Sequence, residues 1–294
     1  MPAFYKLVQA EEFLRPEGPI WAEYRQHFLA EGDSWFSLGT LNPIKQANLL
    51  YALEFSTATL VVQTAMPGDT LHHMSASSGD KNFRRLLHGR LAYTWSGILL
   101  SAGGNDLIDA CQVAAHHPLN LRLLRRPDER LDAALGPRSW LSDEGWQTFA
   151  GYLRANLDEI IALRDSGPSK GRPVFMHTYA YPTPTRVGPG LGLKSWLLPS
   201  LTAMGIPHDD QPGVARALVD QLADLLLACA ADQGRFPGLA VFDSRGLDIV
   251  PAAQGADGES GDWVNEIHLT HGGCRKLSRP WAASIEARLA AMPT

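Results

Sequence analysis

The chain has 294 residues, of which 45% are hydrophobic and 19% charged, and this composition excludes intrinsic disorder, collagen-like repeats and coiled coil. Its 26 Lys and Arg against 31 Asp and Glu give a formal net charge of −5, which argues against binding to nucleic acid or to an anionic membrane. No stretch approaches the ~18 apolar residues of a membrane span, and the first residues lack a signal-peptide pattern. We therefore expect a cytoplasmic protein without a nucleic-acid partner.

Short apolar runs bounded by turn residues predict buried β-strands, and longer amphipathic runs between them predict helices. The predicted strands, after a weaker one near residues 27–31, are Thr59–Ala65, Gly97–Ala102, Pro173–Tyr179 and Leu239–Phe242. The predicted helices are Pro43–Phe55, Lys81–Leu91, Asp143–Arg164, Val214–Asp232 and Ser278–Met292. This alternation predicts an α/β fold, a three-layer α/β/α sandwich with a central parallel sheet of about five strands.

Two stretches interrupt the alternation, at Asp109–Leu141 and Ala180–Gly213. The second is dense in Pro, Gly and aromatic residues, and long irregular insertions in α/β proteins usually form functional loops. We expect them to form loops or a lid around the functional site. No linker-like composition divides the chain, so we predict a single domain over residues 1–294.

Ligands of open parallel sheets bind at the carboxyl ends of the strands, so the residues that follow each predicted strand are the candidates for chemistry. Three strands are followed by Gly32-Asp33-Ser34-Trp35, Pro67-Gly68-Asp69-Thr70 and Gly103-Gly104-Asn105-Asp106, and the segment Asp262–His268 lies near the end of the chain. Together they offer a serine, backbone N–H groups beside glycine, a side-chain amide and a histidine. Acyl transfer needs this combination of nucleophile, base and oxyanion donors.

In order and spacing, these segments resemble the sequence blocks of the SGNH (GDSL-type) hydrolase family. The resemblance spans residues 32–268 and implies that Ser34 is the nucleophile and His268 the general base. It also implies an oxyanion hole formed by Ser34 N–H, Gly68 N–H and the amide of Asn105. Trp35 and Trp263 flank the proposed catalytic residues and are candidates for the substrate pocket.

The chain departs from the family pattern three residues before the histidine, where Asn265 stands in place of the usual aspartate. An asparagine can hold an imidazole tautomer but cannot stabilise imidazolium by charge. Asp262, six residues before His268, is our preferred orienting acid, and Asn265 and Glu266 remain alternatives.

Other polar clusters favour structural interpretations. The pairs His72-His73 and His116-His117 lack metal-ligand spacing, so we expect no metal, and no motif implies an organic cofactor. The arginines of the first insertion are interpreted as a solvated helix face, with an anionic substrate group as the alternative. They are Arg122, Arg125, Arg126 and Arg130.

The sequence thus predicts serine-dependent hydrolysis of a small-molecule ester or thioester through an acyl-enzyme. Transfer of the acyl group to a sugar or other hydroxyl is the first alternative. A non-catalytic binding protein on the same fold is the second, because a fold does not determine a function. The sequence offers no prediction of acyl-chain length or oligomeric state.

Overall fold

Six parallel strands form one sheet in the order β1-β3-β2-β4-β5-β6. The computed structural model describes residues 4–37, 47–76, 78–190 and 193–292. The strands are Tyr5–Gln9 (β1), Gln26–Gly32 (β2), Thr59–Gln63 (β3), Gly97–Ser101 (β4), Val174–His177 (β5) and Leu239–Phe242 (β6). The predicted α/β sandwich with a parallel sheet is confirmed, with six strands in place of about five.

Helices flank the sheet. They are Ala10–Phe13 (α1), Ser34–Ser37 (α2), Leu71–Ser75 (α3), Lys81–Leu87 (α4), Gly104–Cys111 (α5), Asp143–Asp165 (α6), Leu197–Ala203 (α7), Gln211–Ala231 (α8) and His271–Ala290 (α9). Every residue of β3 and β4 is buried. Because alternate side chains of a strand point to opposite faces, such strands need cover on both sides, which explains their uninterrupted apolar sequences.

The strand missed by the sequence analysis, β1, pairs only with β3 and lies at the edge of the sheet. Its first three residues are half-buried, so its sequence lacks the fully apolar signal of the inner strands. The helix predicted at Pro43–Phe55 is wrong in its described part, where residues 47–55 contain only the 3-10 turn Leu50–Ala52, and residues 43–46 lie outside the described residues. The segment has an irregular backbone but still buries several apolar residues. Their spacing in the sequence resembles that of a helix, which explains the wrong prediction.

The first insertion contains three 3-10 segments, Leu119–Leu121, Pro127–Glu129 and Ala133–Trp140. The predicted solvated helix face is wrong, because Arg122 is only 2% exposed and donates two hydrogen bonds to the Glu129 carboxylate at 2.7 and 2.9 Å. Arg125 is also buried and reaches Glu144 at 3.3 Å. These arginines hold the insertion together. The second insertion contains α7 and the start of α8.

The strand order brings together three of the segments singled out from the sequence. Strand β2 lies between β3 and β4, and all three are parallel, so the residues that follow them meet at one edge of the sheet. Ser34 follows β2, Gly68 follows β3, and Asn105 follows β4. Within the described residues, no helix is both long and apolar enough to cross a membrane.

Candidate active site

Ser34 and His268 are in direct contact although 234 residues separate them in the sequence. The Ser34 Oγ lies 2.7 Å from Nε2 of His268, and both side chains are buried, with 6% and 5% exposed. Ser34 is the first residue of α2, immediately after β2. The indole N–H of Trp35 donates to the Ile267 carbonyl at 3.1 Å and ties the start of α2 to the loop that carries His268.

Asn265, and not Asp262, contacts the second nitrogen of the imidazole. Its Oδ1 lies 3.0 Å from His268 Nδ1 and also accepts the backbone N–H of His268 at 2.9 Å and of Ile267 at 3.2 Å. The two backbone N–H donors identify this atom as the amide oxygen, and because an oxygen without a hydrogen can only accept, Nδ1 carries the ring proton and donates. Nε2 is then free to accept the proton of Ser34.

The structure does not bring Asp262 to His268, so the preference for Asp262 as the orienting acid is corrected. Its Oδ2 accepts the Val250 N–H at 2.6 Å and lies 2.7 Å from the Lys276 ammonium. These bonds connect two loop segments to α9, which is a structural arrangement. Glu266 does not contact His268 through a hydrogen bond either, because its carboxylate is directed to backbone N–H groups of the second insertion.

Burial without a neighbouring carboxylate sets the protonation of the histidine. Removal from water lowers the pKa of His268 to about 4, because a buried imidazolium loses its hydration. At neutral pH the imidazole is therefore uncharged, which is the form that accepts a proton.

Asn105 is hydrogen-bonded to the β3–α3 loop at Asp69, the residue that follows Gly68. The amide Nδ2 of Asn105 donates to the Asp69 carbonyl at 2.9 Å, and its second hydrogen remains for another acceptor. Gly68 has φ of +82°, a left-handed conformation that favours glycine. Asp106 accepts the Leu71 N–H at 3.0 and 3.2 Å, so α5 holds this loop through two consecutive side chains.

The GGND segment has a local reason for each glycine. Gly103 caps α5 with φ of +100°, again in the left-handed region. At Gly104, a Cβ atom would lie 2.8 Å from the ring of Tyr179. The two glycines therefore allow a tight turn from β4 into α5 with Asn105 in its first turn.

A pocket that is partly open to solvent lies beside Ser34 and Asn105. Its walls are predominantly apolar and come from α5, α7, α8 and the histidine loop, and include Leu107, Ile108, Leu197, Val219, Leu222 and Ile267. Trp35 and Trp263 line it, as their position in the sequence suggested. The second insertion contributes Ala180, Pro182 and Leu197, whereas no residue of 112–141 lines it.

The histidine pairs have structural neighbours. His73 is hydrogen-bonded to Asp69, His72 lies 3.2 Å from Asn156, and the rings of His116 and His117 contact each other. No group of three His, Cys, Asp or Glu within residues 4–37, 47–76, 78–190 and 193–292 could hold a metal ion.

Comparison with known proteins identifies the fold. The chain matches no protein-family model and no curated protein sequence. The solved structure of the extracellular lipase from Streptomyces rimosus is similar, with a TM-score of 0.50 and 16% identity over 88% of this chain and 99% of the lipase. The chain has the fold of the SGNH-type hydrolases. Phospholipase A1 from Streptomyces albidoflavus has a TM-score of 0.46 and 15% identity over 88% of this chain and 98% of that one.

In this SGNH-type fold, a buried polar network behind Ser34 was missed by the sequence analysis. The Asp33 carboxylate accepts bonds from the Trp35 N–H and the Ser101 hydroxyl, both at 2.9 Å, and from the Tyr179 hydroxyl at 2.5 Å. Burial raises the pKa of Asp33 to about 6 in spite of these donors. The network ties the turn after β2 to β4 and β5. Asp33 could have been suspected from the sequence because it precedes Ser34, whereas no sequence pattern pointed to Tyr179.

Proposed function

We propose that this protein is a serine-dependent hydrolase of carboxylic esters or thioesters that works through an acyl-enzyme. The observation that carries the proposal is the 2.7 Å contact between Ser34 Oγ and His268 Nε2, with His268 Nδ1 held 3.0 Å from Asn265 Oδ1. A nucleophile, a base and a group that orients the base define this chemistry. The similar fold of a lipase supports ester hydrolysis in general.

In the acylation step, Ser34 Oγ bonds to the carbonyl carbon while its proton passes to Nε2 of His268. The carbonyl electron pair moves onto the oxygen. The N–H groups of Ser34 and Gly68 and the amide of Asn105 are the proposed donors to this oxyanion. When the oxyanion collapses, the bond to the alcohol or thiol breaks, and the leaving group takes the proton from His268.

In the deacylation step, water loses a proton to Nε2 of His268 and attacks the acyl carbon. The bond to Ser34 Oγ then breaks, the serine regains the proton, and a carboxylic acid is released. Asn265 acts by keeping the proton on Nδ1 so that the Nε2 lone pair points at Ser34. It adds no negative charge to the imidazolium, which makes this site different from one with an aspartate.

The pocket favours an uncharged, apolar acyl group. Its lining is predominantly aliphatic and aromatic, and its one ionisable carboxylate, Asp33, is engaged by three hydrogen-bond donors. An acyl chain that enters this pocket exchanges water for apolar contacts, which contributes about 0.8 kcal/mol per buried CH₂. We propose that the substrate's acyl portion occupies this space.

A panel of p-nitrophenyl esters from acetate to palmitate tests the proposal on the wild type and on S34A. We expect nitrophenol release by the wild type, with an optimum above acetate, and loss of about 10³-fold or more in S34A. Equal rates in the two proteins would overturn the mechanism. Free acid should equal nitrophenol; a deficit of acid when a sugar is added would indicate acyl transfer instead.

A further inference from the structure

The Glu266 carboxylate binds the second insertion through main-chain groups alone. It lies two residues before His268, is 1% exposed, and accepts four backbone N–H groups. Oε1 accepts from Thr185 at 3.2 Å and Leu198 at 2.8 Å, and Oε2 accepts from Trp196 at 2.5 Å and Leu197 at 2.7 Å. The Glu266 N–H donates in turn to the Val187 carbonyl at 3.0 Å.

These bonds are the compensation for burying a carboxylate. Burial raises the pKa of Glu266 by desolvation, and the four N–H donors oppose this by stabilising the ionised form. Hydrogen bonds to a charged acceptor are stronger than neutral ones, and each of these closes a connection between segments 68 to 81 residues apart. One side chain therefore holds both ends of the stretch from Thr185 to Leu198.

Two of the residues held by Glu266, Trp196 and Leu197, contact His268 or line the pocket. Leu197 lines the pocket beside Ser34, and the Trp196 indole packs edge-on against the His268 imidazole with 5.2 Å between ring centroids. Among the described residues, the Glu266 carboxylate is the one acceptor of the Trp196 and Leu197 backbone N–H groups.

We propose that Glu266 is a positioning residue that fixes the second insertion as the wall of the acyl pocket and thereby sets the preference for acyl length. The inference rests on the proposed ester hydrolysis. An acyl group as short as acetate needs little of the wall, whereas a longer chain contacts Leu197. Loosening the wall therefore raises KM for long esters more than it raises KM for acetate.

The substitution E266Q keeps the shape but places an NH₂ group against N–H donors, so two of the four lose their acceptor. E129Q is the matched control. Glu129 holds the first insertion by accepting from Arg122 and from the Arg126 N–H, and this part of the chain does not line the pocket. E266D keeps the charge but shortens the stem, so it cannot reach all four N–H groups, and its exchange and chain-length preference should lie between those of the wild type and E266Q.

The experiment measures kcat and KM on p-nitrophenyl acetate and octanoate, and amide hydrogen exchange over residues 180–198. For E266Q we expect KM on octanoate to rise about tenfold more than on acetate, and exchange at Trp196–Leu198 to accelerate about tenfold or more. E129Q should change neither. Unchanged exchange in E266Q, or an equal loss on both esters, overturns the proposal.

The two readouts separate this proposal from the one on which it rests. A wild-type protein without ester turnover would overturn the proposed function and the selectivity role together. The difference in exchange between E266Q and E129Q would still decide whether Glu266 holds the insertion. If E266Q does not fold, E266D decides by the same exchange measurement, and wild-type exchange in E266D together with wild-type chain-length preference overturns the proposal.

Discussion

Asn265 combines two tasks in one side-chain oxygen. By accepting the N–H groups of Ile267 and His268 it forms the turn that carries the histidine, and by accepting Nδ1–H it fixes the ring. The three bonds support one another. The turn positions the His268 imidazole, and the bond to Nδ1 in turn holds the Asn265 amide in place. A neutral group is sufficient to select the tautomer.

The residue that orients the histidine can be identified by comparing N265A with D262N. We expect N265A to lower kcat by about 10²- to 10³-fold, because the ring loses its acceptor and the wrong tautomer becomes accessible. D262N should change kcat less than about tenfold and act on stability, since Asp262 connects Val250 to Lys276. Steady-state kinetics with thermal unfolding separate the two, and the reverse order of effects would restore Asp262 as the orienting acid.

The missing carboxylate also predicts the acid limit of activity. His268, whose pKa burial lowers to about 4, stays unprotonated well below pH 6.5, so kcat/KM should fall only as the pH approaches 4. In N265D a carboxylate beside Nδ1 favours the imidazolium. The pH at which kcat/KM falls should therefore rise by about one pH unit or more. The measurement is kcat/KM against pH for the wild type and N265D on the same ester. If both proteins lose activity at the same acidic pH, the prediction is contradicted.

At the scale of elements, the loop between β3 and α3 depends on α5. Asn105 binds the Asp69 carbonyl and Asp106 binds the Leu71 N–H, so the first turn of α5 fixes the loop that contains Gly68. Tyr152 from α6 donates to Asp106 at 2.9 Å and supports this arrangement. Two of the three proposed oxyanion donors, Gly68 and Asn105, thus belong to one connected unit.

N105A is expected to lower kcat by about 10²-fold or more, with a smaller change in KM, because the amide acts on charge that develops only in the transition state. Y152F is the control, since it removes a bond to Asp106 without changing Asn105, and it should cost less than about tenfold. Similar losses in both variants would mean that loop support, and not an amide donor, explains the effect.

Strands β3 to β6 and helix α6 follow directly from the sequence. Strand β6 has the predicted bounds, and α6 extends the predicted Asp143–Arg164 by one residue. Their apolar patterns are local signals, whereas edge strand β1 lacked one. The choice of Asn265 over Asp262 and the contacts of Glu266 depend on where three loops meet, and no sequence pattern specifies that meeting.

At the scale of the whole molecule, the chain must bring residues 32 and 268 together, and it does so with one sheet. The sequence blocks predicted this meeting, because three of them follow strands of one parallel sheet and the family resemblance implied that His268 is the base for Ser34. The single domain over 1–294 stays a prediction that agrees with this sheet. The structure was needed to assign the roles of the two insertions. Residues of the second insertion line the pocket, whereas no residue of 109–141 does.

A second buried histidine makes the folded state sensitive to acid. His177 ends β5 within a group of aromatic rings that includes Trp35 and Trp281. Burial lowers the pKa of His177 to about 4. Between pH 6.5 and 4 the unfolded chain binds a proton at this residue that the folded chain does not, so the free energy of unfolding falls as the pH falls.

H177F should remove this part of the acid sensitivity. By linkage, a shift from 6.5 to about 4 corresponds to about 3 kcal/mol of unfolding free energy lost over that interval. Urea unfolding at several pH values between 7 and 4.5 should therefore give a shallower slope for H177F than for the wild type. His268 titrates in the same window in both proteins and cancels in the comparison, and parallel slopes would contradict the prediction.

Covalent labelling with a fluorophosphonate tests directly whether Ser34 is a nucleophile activated by His268, and mass spectrometry of peptides locates the adduct. We predict a single adduct on Ser34 in the wild type, none on S34A, and labelling slowed by about 10²-fold or more in H268A, which keeps the hydroxyl but lacks the base. An adduct on another residue, or equal labelling of wild type and S34A, would contradict the account.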